Sequence, residues 1–207
     1  MSLVADEKTG GYIQMVDAHS LETTAYPPVQ PLSDFRLGMQ RLPRGVSIIT
    51  AVAADGKQYG ITATAVFSLS LDPPSLVAGV NKRTRLGKTL YTASGFAVSI
   101  LGTGHRDVAE AFAGKRSELR GADRFAYGEW RRDSTGVPIL GDAPACFICK
   151  VDDIIERSTH LLLIGVVTKV YVADRDIAPL VYFSRTFTCV GGDSALAQVR
   201  PGSADGL

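Results

Sequence analysis

Residues 59–81 read YGITATAVFSLSLDPPSLVAGVN, and the reading of this stretch decides the fold. Two β-prone runs flank Asp72-Pro73-Pro74, a step that no central strand accommodates because proline cannot donate to a ladder. Lys57–Ala65, Val66–Leu71 and Ser75–Val80 are therefore predicted as successive strands, an antiparallel beginning. Thr62, Thr64, Ser68 and Ser70 line the run with hydroxyls, which together with close backbone amides suit a flat, phosphate-bearing ligand. The same residue types suit any half-exposed strand, where β-branching favours the pleated surface, so composition alone leaves both readings standing.

Working outward, Ser33 is placed as the N-cap of a helix whose Phe35, Met39 and Leu42 share one face, stopped by Pro43 and Gly45. Val46–Ala54 is predicted as a strand, with Asp55-Gly56 as a two-residue hairpin turn. Downstream, Thr84 caps a short helix through Leu86 and Leu90 that Gly95 closes, and Phe96–Leu101 is another strand. Val108 and Phe112 share a face of a helix over residues 106–113, which Gly114 stops. Residues 115–145 are charged and glycine-rich, with no element assigned. Strands are predicted over 146–156, 160–172 and 180–188, the last two joined by the turn-prone Ala173-Asp174-Arg175-Asp176. Many short strands with a few helices predict a mainly β domain, a closed or partly open antiparallel barrel over residues 32–190. Residues 1–31 have few apolar positions and end in Tyr26-Pro27-Pro28-Val29-Gln30-Pro31, an extended or partly disordered leader. Residues 191–207 form a tail without pattern.

The 207 residues fit one domain, and 22 basic against 21 acidic side chains give a net charge of +1. No global field favours nucleic acid or an anionic membrane, and no apolar run reaches the ~18 residues of a membrane span. Lys82-Arg83-Thr84-Arg85 offers a local patch, either a phosphate anchor or a solvated basic turn. The start MSLVADEKTG lacks a secretory pattern and the cysteines number three, which points to a reducing cytoplasm. Cys146 and Cys149 form a C-x-x-C, but zinc needs two more suitably spaced ligands and a redox dithiol belongs at a helix start. Residues 145–151 alternate like a strand, so both thiols are read as structural. Gly102-Thr103-Gly104-His105-Arg106-Asp107 lacks the third glycine of a dinucleotide fingerprint and the βαβ alternation around it. His19 and His105 make no metal cluster with His160, which as a lone histidine opening an apolar strand fits a structural role as well as a functional one.

Three blocks then fall in a recognisable order: Gly60-Ile61-Thr62-Ala63-Thr64-Ala65, Ser68-Leu69-Ser70-Leu71-Asp72-Pro73-Pro74, and Asn81-Lys82-Arg83-Thr84-Arg85. Around them lie FRLGMQRLPRGVSIIT at 35–50, Phe96–Leu101, Ala109–Gly114, Arg124-Phe125, Gly136–Leu140, Thr159-His160 with Gly165–Val167, and Pro179–Tyr182. This ordered set, spanning residues 35–188, resembles the flavin reductase-like family, the NAD(P)H:flavin oxidoreductases that supply reduced flavin to two-component monooxygenases.

The resemblance implies an antiparallel split β-barrel of the Greek-key, FMN-binding type. It implies hydride transfer from NADH or NADPH to FMN or FAD, with the hard electronics supplied by the cofactor and no side chain needed as acid, base or nucleophile. Gly60, Ile61, Thr62, Thr64 and Ala65 would line the ring and ribityl chain, with Ser68 adding a hydroxyl and Gly79, Val80 and Asn81 adding amide contacts. Thr84 and Arg85 would reach the phosphate, and Ala111 and Phe112 form a further contact segment. His160 matches a position on the nicotinamide side, while Tyr182, Ser184 and Arg185 match a region that closes over the site. Two departures stand out: Ala65 where many relatives carry serine, and Leu86 in place of a small hydroxyl residue. A non-catalytic flavin-binding or storage module and a purely structural barrel are the competing readings, since fold does not fix turnover. A homodimer is expected, because open strand edges need cover and two-fold pairing is the commonest way to supply it.

Overall fold

The computed structural model describes residues 32–190, together with two short strands, β1 (Val4–Ala5) and β2 (Tyr12–Ile13), paired antiparallel to each other. Apart from that pair, the leader expected over 1–31 and the tail over 191–207 lie outside the described residues. The chain divides into a unit over Met1–Met39 and a larger one over Gln40–Leu207. The first contains most of helix α1 (Leu32–Gln40), in which no residue is buried. Ser33 lies within that helix instead of capping it, its Oγ donating to Asp34 Oδ1 at 3.3 Å.

In the larger unit the strands are β3 (Arg44–Gly45), β4 (Ser47–Val52), β5 (Gln58–Ala63), β6 (Val66–Leu71), β7 (Pro74–Asn81) and β8 (Gly95–Ile100). They continue with β9 (Trp130–Arg132), β10 (Pro138–Leu140), β11 (Ala145–Arg157), β12 (His160–Val172), β13 (Leu180–Phe183) and β14 (Thr186–Cys189). Two helices interrupt them, α2 (Arg85–Leu90) and α3 (Arg106–Phe112), along with 3-10 turns at Thr103–His105 and Gly121–Ala126. All named pairs are antiparallel. Seven strands form one sheet in the order β5-β4-β8-β11-β12-β7-β6, and β14-β13-β3 form another.

The two edges of the large sheet, β5 and β6, are consecutive in the chain with only Thr64 and Ala65 between them, so the sheet must curl until its edges meet. They do not pair with each other, and the expected barrel is left unclosed along this line. The β6–β7 ladder runs one step past the end of β6, through a hydrogen bond from Gly79 N to Ala65 O at 2.8 Å. Register shifts at Ile148/Cys149 and Val151/Asp153 mark bulges in the thirteen-residue strands β11 and β12, where added local twist helps the sheet bend.

Curling gives the sheet two buried faces. Inside the curl, Ile49, Val80, Phe96, Val98, Cys149 and Leu163 pack with Leu86 and Leu90 of α2. On the other face Ile48, Ala97, Cys146 and Ile148 pack with Val108 and Phe112 of α3 and with Ile139 and Leu140 of β10. The central strands β4 and β8 are thus buried on both sides, which is why Ile48-Ile49 and Phe96-Ala97-Val98 read as continuous apolar runs. Cys146 and Cys149, three residues apart on a strand of period two, face opposite cores as free thiols.

Local chemistry explains where element boundaries differ from expectation. The β4–β5 ladder extends to Ala53 N–Lys57 O at 2.8 Å, and the turn bonds Gly56 N to Ala53 O at 2.9 Å with Gly56 at φ +80°. The loop is thus longer than a two-residue turn, closed by a left-handed glycine in the manner of a bulged hairpin. Thr84 caps α2 as expected, its Oγ1 accepting from Gly87 N at 2.9 Å, but Gly95 opens β8 and does not close the helix. Gly114, at φ +73°, ends α3. The segment 180–188 turns back on itself as β13 and β14, with Ser184 and Arg185 at φ 47° and 65°. A Ser-Arg pair gives none of the usual Asn-Gly signal for such a turn. Residues 115–145 hold β9 and β10, whose three-residue length shows no period. Thr50 Oγ1 ties them to the sheet by donating to Pro138 O at 2.5 Å, as does Ser99 Oγ by accepting from Leu140 N at 3.2 Å. No helix among the described residues is long and apolar enough to cross a membrane.

Candidate functional site

Where the sheet edges meet, a cavity of 480 Å³ opens. Its floor is Ile61 through Ala65, the end of β5 and the crossover to β6, with Gly79 and Asn81 of β7 beside it. Thr84, Phe112, Ala113 and Gly114 form a second wall, and Arg44, Arg124 and His160 complete it. A smaller cavity of 270 Å³ adjoins, lined by Tyr59, Gly60, Arg85, Leu86, Arg120 and Gly121, and sharing Ile61, Thr84 and Arg124 with the first.

Gly60 is fixed by close approach: a Cβ there would meet the Phe112 ring at 2.7 Å. That ring is 2% exposed and sits edge-on to Phe125 at 5.0 Å and tilted against Trp130 at 5.2 Å, giving the site a rigid aromatic backing. Thr62 Oγ1 donates to Ala109 O at 2.6 Å, which binds α3 to β5 and leaves its lone pairs for a ligand donor. Asn81 Oδ1 accepts from Arg83 N at 2.9 Å, committing the amide oxygen and leaving the NH2 to donate. Thr84 uses its hydroxyl twice, donating to Asn81 O at 2.8 Å and accepting from Gly87 N. His160 sits opposite Asn81 in the β7–β12 register, is exposed, and has Nδ1 2.8 Å from Thr159 Oγ1.

The electrostatics favour an anion. No carboxylate lines either cavity, while Arg44, Arg85, Arg120 and Arg124 do. The Nε atoms of Arg44 and Arg124 are buried without a hydrogen-bond partner among the described residues. Buried guanidinium donors left open are costly unless something accepts from them. Arg124 Nη1 reaches Phe112 O at 3.4 Å, and Arg44 lies 5.9 Å over the Tyr182 ring. Orphaned cationic donors, committed hydroxyls, a free amide and an aromatic back wall fit a flat ligand carrying phosphate. The basic tetrad divides its work: Lys82 pairs with Glu156, Thr84 caps α2, and Arg85 lines the smaller cavity. The Lys82 ammonium and the Tyr91 hydroxyl hold the Glu156 carboxyl below its ordinary range.

Of the residues singled out in the sequence, Gly60, Ile61, Thr62, Thr64, Ala65, Gly79, Asn81, Thr84, Arg85, Phe112 and His160 line one or other cavity. Val80 and Ala111 do not: each is 0% exposed, packed in opposite cores beneath the site. Ser68 lines a separate apolar groove of 320 Å³ with Phe67, Leu71 and Val170. Tyr182 packs on Phe187 behind Arg44, and Ser184 and Arg185 form the exposed β13–β14 turn. Arg44, Arg120 and Arg124 received no role from the sequence. Arg124-Phe125 and the 35–50 stretch that holds Arg44 stood among the ordered blocks, which was the available signal; Arg120 gave none beyond its charge.

Comparison with known proteins agrees with this geometry. The family model described as Flavin reductase like domain matches residues 39–191. NADH:riboflavin 5′-phosphate oxidoreductase of Streptomyces pristinaespiralis is 38% identical over 164 residues, 79% of this chain and 90% of that protein. The reductase component of the FADH2-dependent resorcinol hydroxylase of Rhizobium sp. is 35% identical over 165 residues, 79% of this chain and 89% of that protein. Among solved structures, the nitrilotriacetate monooxygenase component B homolog of Mycobacterium thermoresistibile superposes with a TM-score of 0.70 at 28% identity, covering 77% of this chain and 87% of that one. With the match running through both cavities and both cores, the chain belongs to the flavin reductase like domain family.

Proposed function

We propose that this protein is an NAD(P)H:flavin oxidoreductase that reduces FMN or FAD and passes the reduced flavin to a separate monooxygenase. The observation that carries the reading is the 480 Å³ cavity, where the Ile61–Ala65 segment faces Asn81 and His160 under two orphaned guanidinium nitrogens. The flavin supplies the hydride-accepting chemistry when bound. The chain's part is to hold it: Ile61 and Phe112 offer apolar contact, Asn81 an amide donor, and Arg44 and Arg124 charge for phosphate. His160, exposed at the mouth and steadied through Nδ1, places the nicotinamide. The names of the relatives support a partner oxygenase, one being a hydroxylase reductase component and another a monooxygenase component homolog. They also support both flavins, since one name carries riboflavin 5′-phosphate and another FADH2.

The curled, unclosed sheet is read as a split barrel of Greek-key type, and the protein as a cytoplasmic homodimer. The apolar groove beside β6, with Leu71 87% exposed and Phe67 57% exposed, supports a second copy as its cover. Following NADH and NADPH absorbance with and without added FMN, FAD or riboflavin tests the activity. Oxidation that depends on flavin is expected, whereas tight flavin binding without nicotinamide consumption would establish the storage reading.

A further inference from the structure

A further cavity, of 650 Å³, shares no lining residue with the 480 Å³ cavity or with the smaller one beside it. Its floor is apolar, built from the buried Leu140, Ala143 and Cys146 with Val170 and Val172 of β12 alongside. Two charges of each sign stand around that floor, Arg131 and Arg175 against Asp142 and Asp174. Asp174 and Arg175 are neighbours in sequence, yet neither they nor Arg131 enters an ion pair among the described residues.

Asp142 is supported from one side only. The buried His105 accepts from Gly102 N through Nδ1 at 3.0 Å, which leaves Nε2 to donate to Asp142 Oδ2 at 3.1 Å. Asp142 Oδ1 is covered and has no partner among the described residues, although 39% of the side chain is exposed. A carboxylate has room for about four donors, so the exposed part of this one remains open to a cation. Asp142 and Arg175 also line an adjoining cavity of 350 Å³, together with His105 and Asp176, and thus stand on one rim. They do not pair across it.

Unpaired charges of both signs over an apolar floor complement a ligand that is itself dipolar. A singly charged ligand is attracted by two of the four groups and repelled by the other two. A ligand carrying both charges close together on an apolar body meets each group with its opposite. The volume falls within the ~300–1,000 Å³ of small-molecule sites. We propose that this cavity is a second ligand site that takes a zwitterionic amino acid with an apolar side chain, its ammonium against Asp142 and its carboxylate against Arg175. The site stands independently of the flavin reductase reading.

Calorimetric titration of the full chain with three related probes tests it: L-phenylalanine, phenethylamine, which lacks the carboxylate, and 3-phenylpropanoate, which lacks the ammonium. L-Phenylalanine is expected to bind at least about fivefold tighter than either, the contribution of a charge-assisted contact that solvent partly screens. Arg175→Gln alters an exposed loop residue and should weaken L-phenylalanine by about fivefold while phenethylamine stays within about twofold. Asp142→Asn removes the charge but keeps a carbonyl oxygen for His105, so it should weaken L-phenylalanine and phenethylamine and spare 3-phenylpropanoate. If that variant fails to fold, Arg175→Gln with the same three probes decides. Saturating FMN and NADH should leave the L-phenylalanine affinity unchanged, and competition by either would place the amino acid elsewhere and overturn the site. Absence of saturable L-phenylalanine binding at millimolar concentration, equal affinity for all three probes, or equal losses for L-phenylalanine and phenethylamine in Arg175→Gln would overturn it as well.

Discussion

Arg85 is exposed at the start of α2, yet it lines the smaller cavity, where its guanidinium has no ion-pair partner among the described residues. Arg85→Ala is therefore expected to weaken FMN by about tenfold and riboflavin hardly at all, because only FMN carries the acceptor. Fluorescence titration of both ligands checks this, and equal loss would make the basic turn structural. His160→Ala should raise the apparent Michaelis constant for NADH and slow single-turnover reduction with flavin affinity unchanged, since a misplaced donor costs rate. The thiols separate by environment: burial pushes Cys149 up to about 12 and Cys146 also upward, while Cys189 is exposed. Both buried groups stay protonated near pH 8, and alkylation requires thiolate. Mass spectrometry after iodoacetamide treatment of native protein should find Cys189 labelled and Cys146 and Cys149 untouched until unfolding. Residue type made Gly60, Thr64 and Asn81 legible, since a ligand-facing strand needs small or hydroxyl side chains in sequence. Arg44, Arg120 and Arg124 were not, because a surface arginine and a site arginine look alike until the chain folds.

At the scale of elements, β5 and α3 are locked to each other at one point. Gly60 admits the Phe112 ring, and Thr62 bonds the Ala109 carbonyl one turn away. Gly60→Ala would drive a methyl into that ring, and overpacking of this kind costs about 1–3 kcal/mol. Chemical denaturation should register that loss, and flavin affinity should fall with it because Phe112 backs the cavity; retained affinity with lost stability would separate the ring from the site. The strand over 160–172 was legible to its ends, since Leu161, Leu163 and Gly165 alternate inward between two marked turns. The β9–β10 and β13–β14 hairpins were not. Three-residue strands carry no period, and their anchors, Thr50 and Ser99, lie 88 and 41 residues from the groups they bind. The second hairpin turns on Ser184-Arg185, which only the folded backbone reveals as left-handed.

The whole molecule exposes an edge and an apolar groove on the same side of the sheet. Phe67, Leu69 and Leu71 along β6 are 57%, 52% and 87% exposed, more apolar surface than an edge strand normally leaves in water. A homodimer burying this strand is expected from light scattering at micromolar concentration. Leu71→Lys should shift it toward monomer, and a wild-type monomer would refute the pairing. The mainly β architecture followed from the Pro-Pro step and the strand spacing, whereas the unclosed seam did not, because whether β5 and β6 pair or stand apart depends on the twist accumulated over all seven strands. At that seam the chain crosses from one sheet edge to the other through Thr64 and Ala65, and the same crossover forms the floor of the ligand cavity. An occupant would act there as a clasp: whatever free energy it gains from Thr64 and Gly79 together also resists the parting of β5 from β7. Affinity and mechanical cohesion would then be one quantity, and a reductase that must release its flavin to a partner would have to loosen its own sheet to do so.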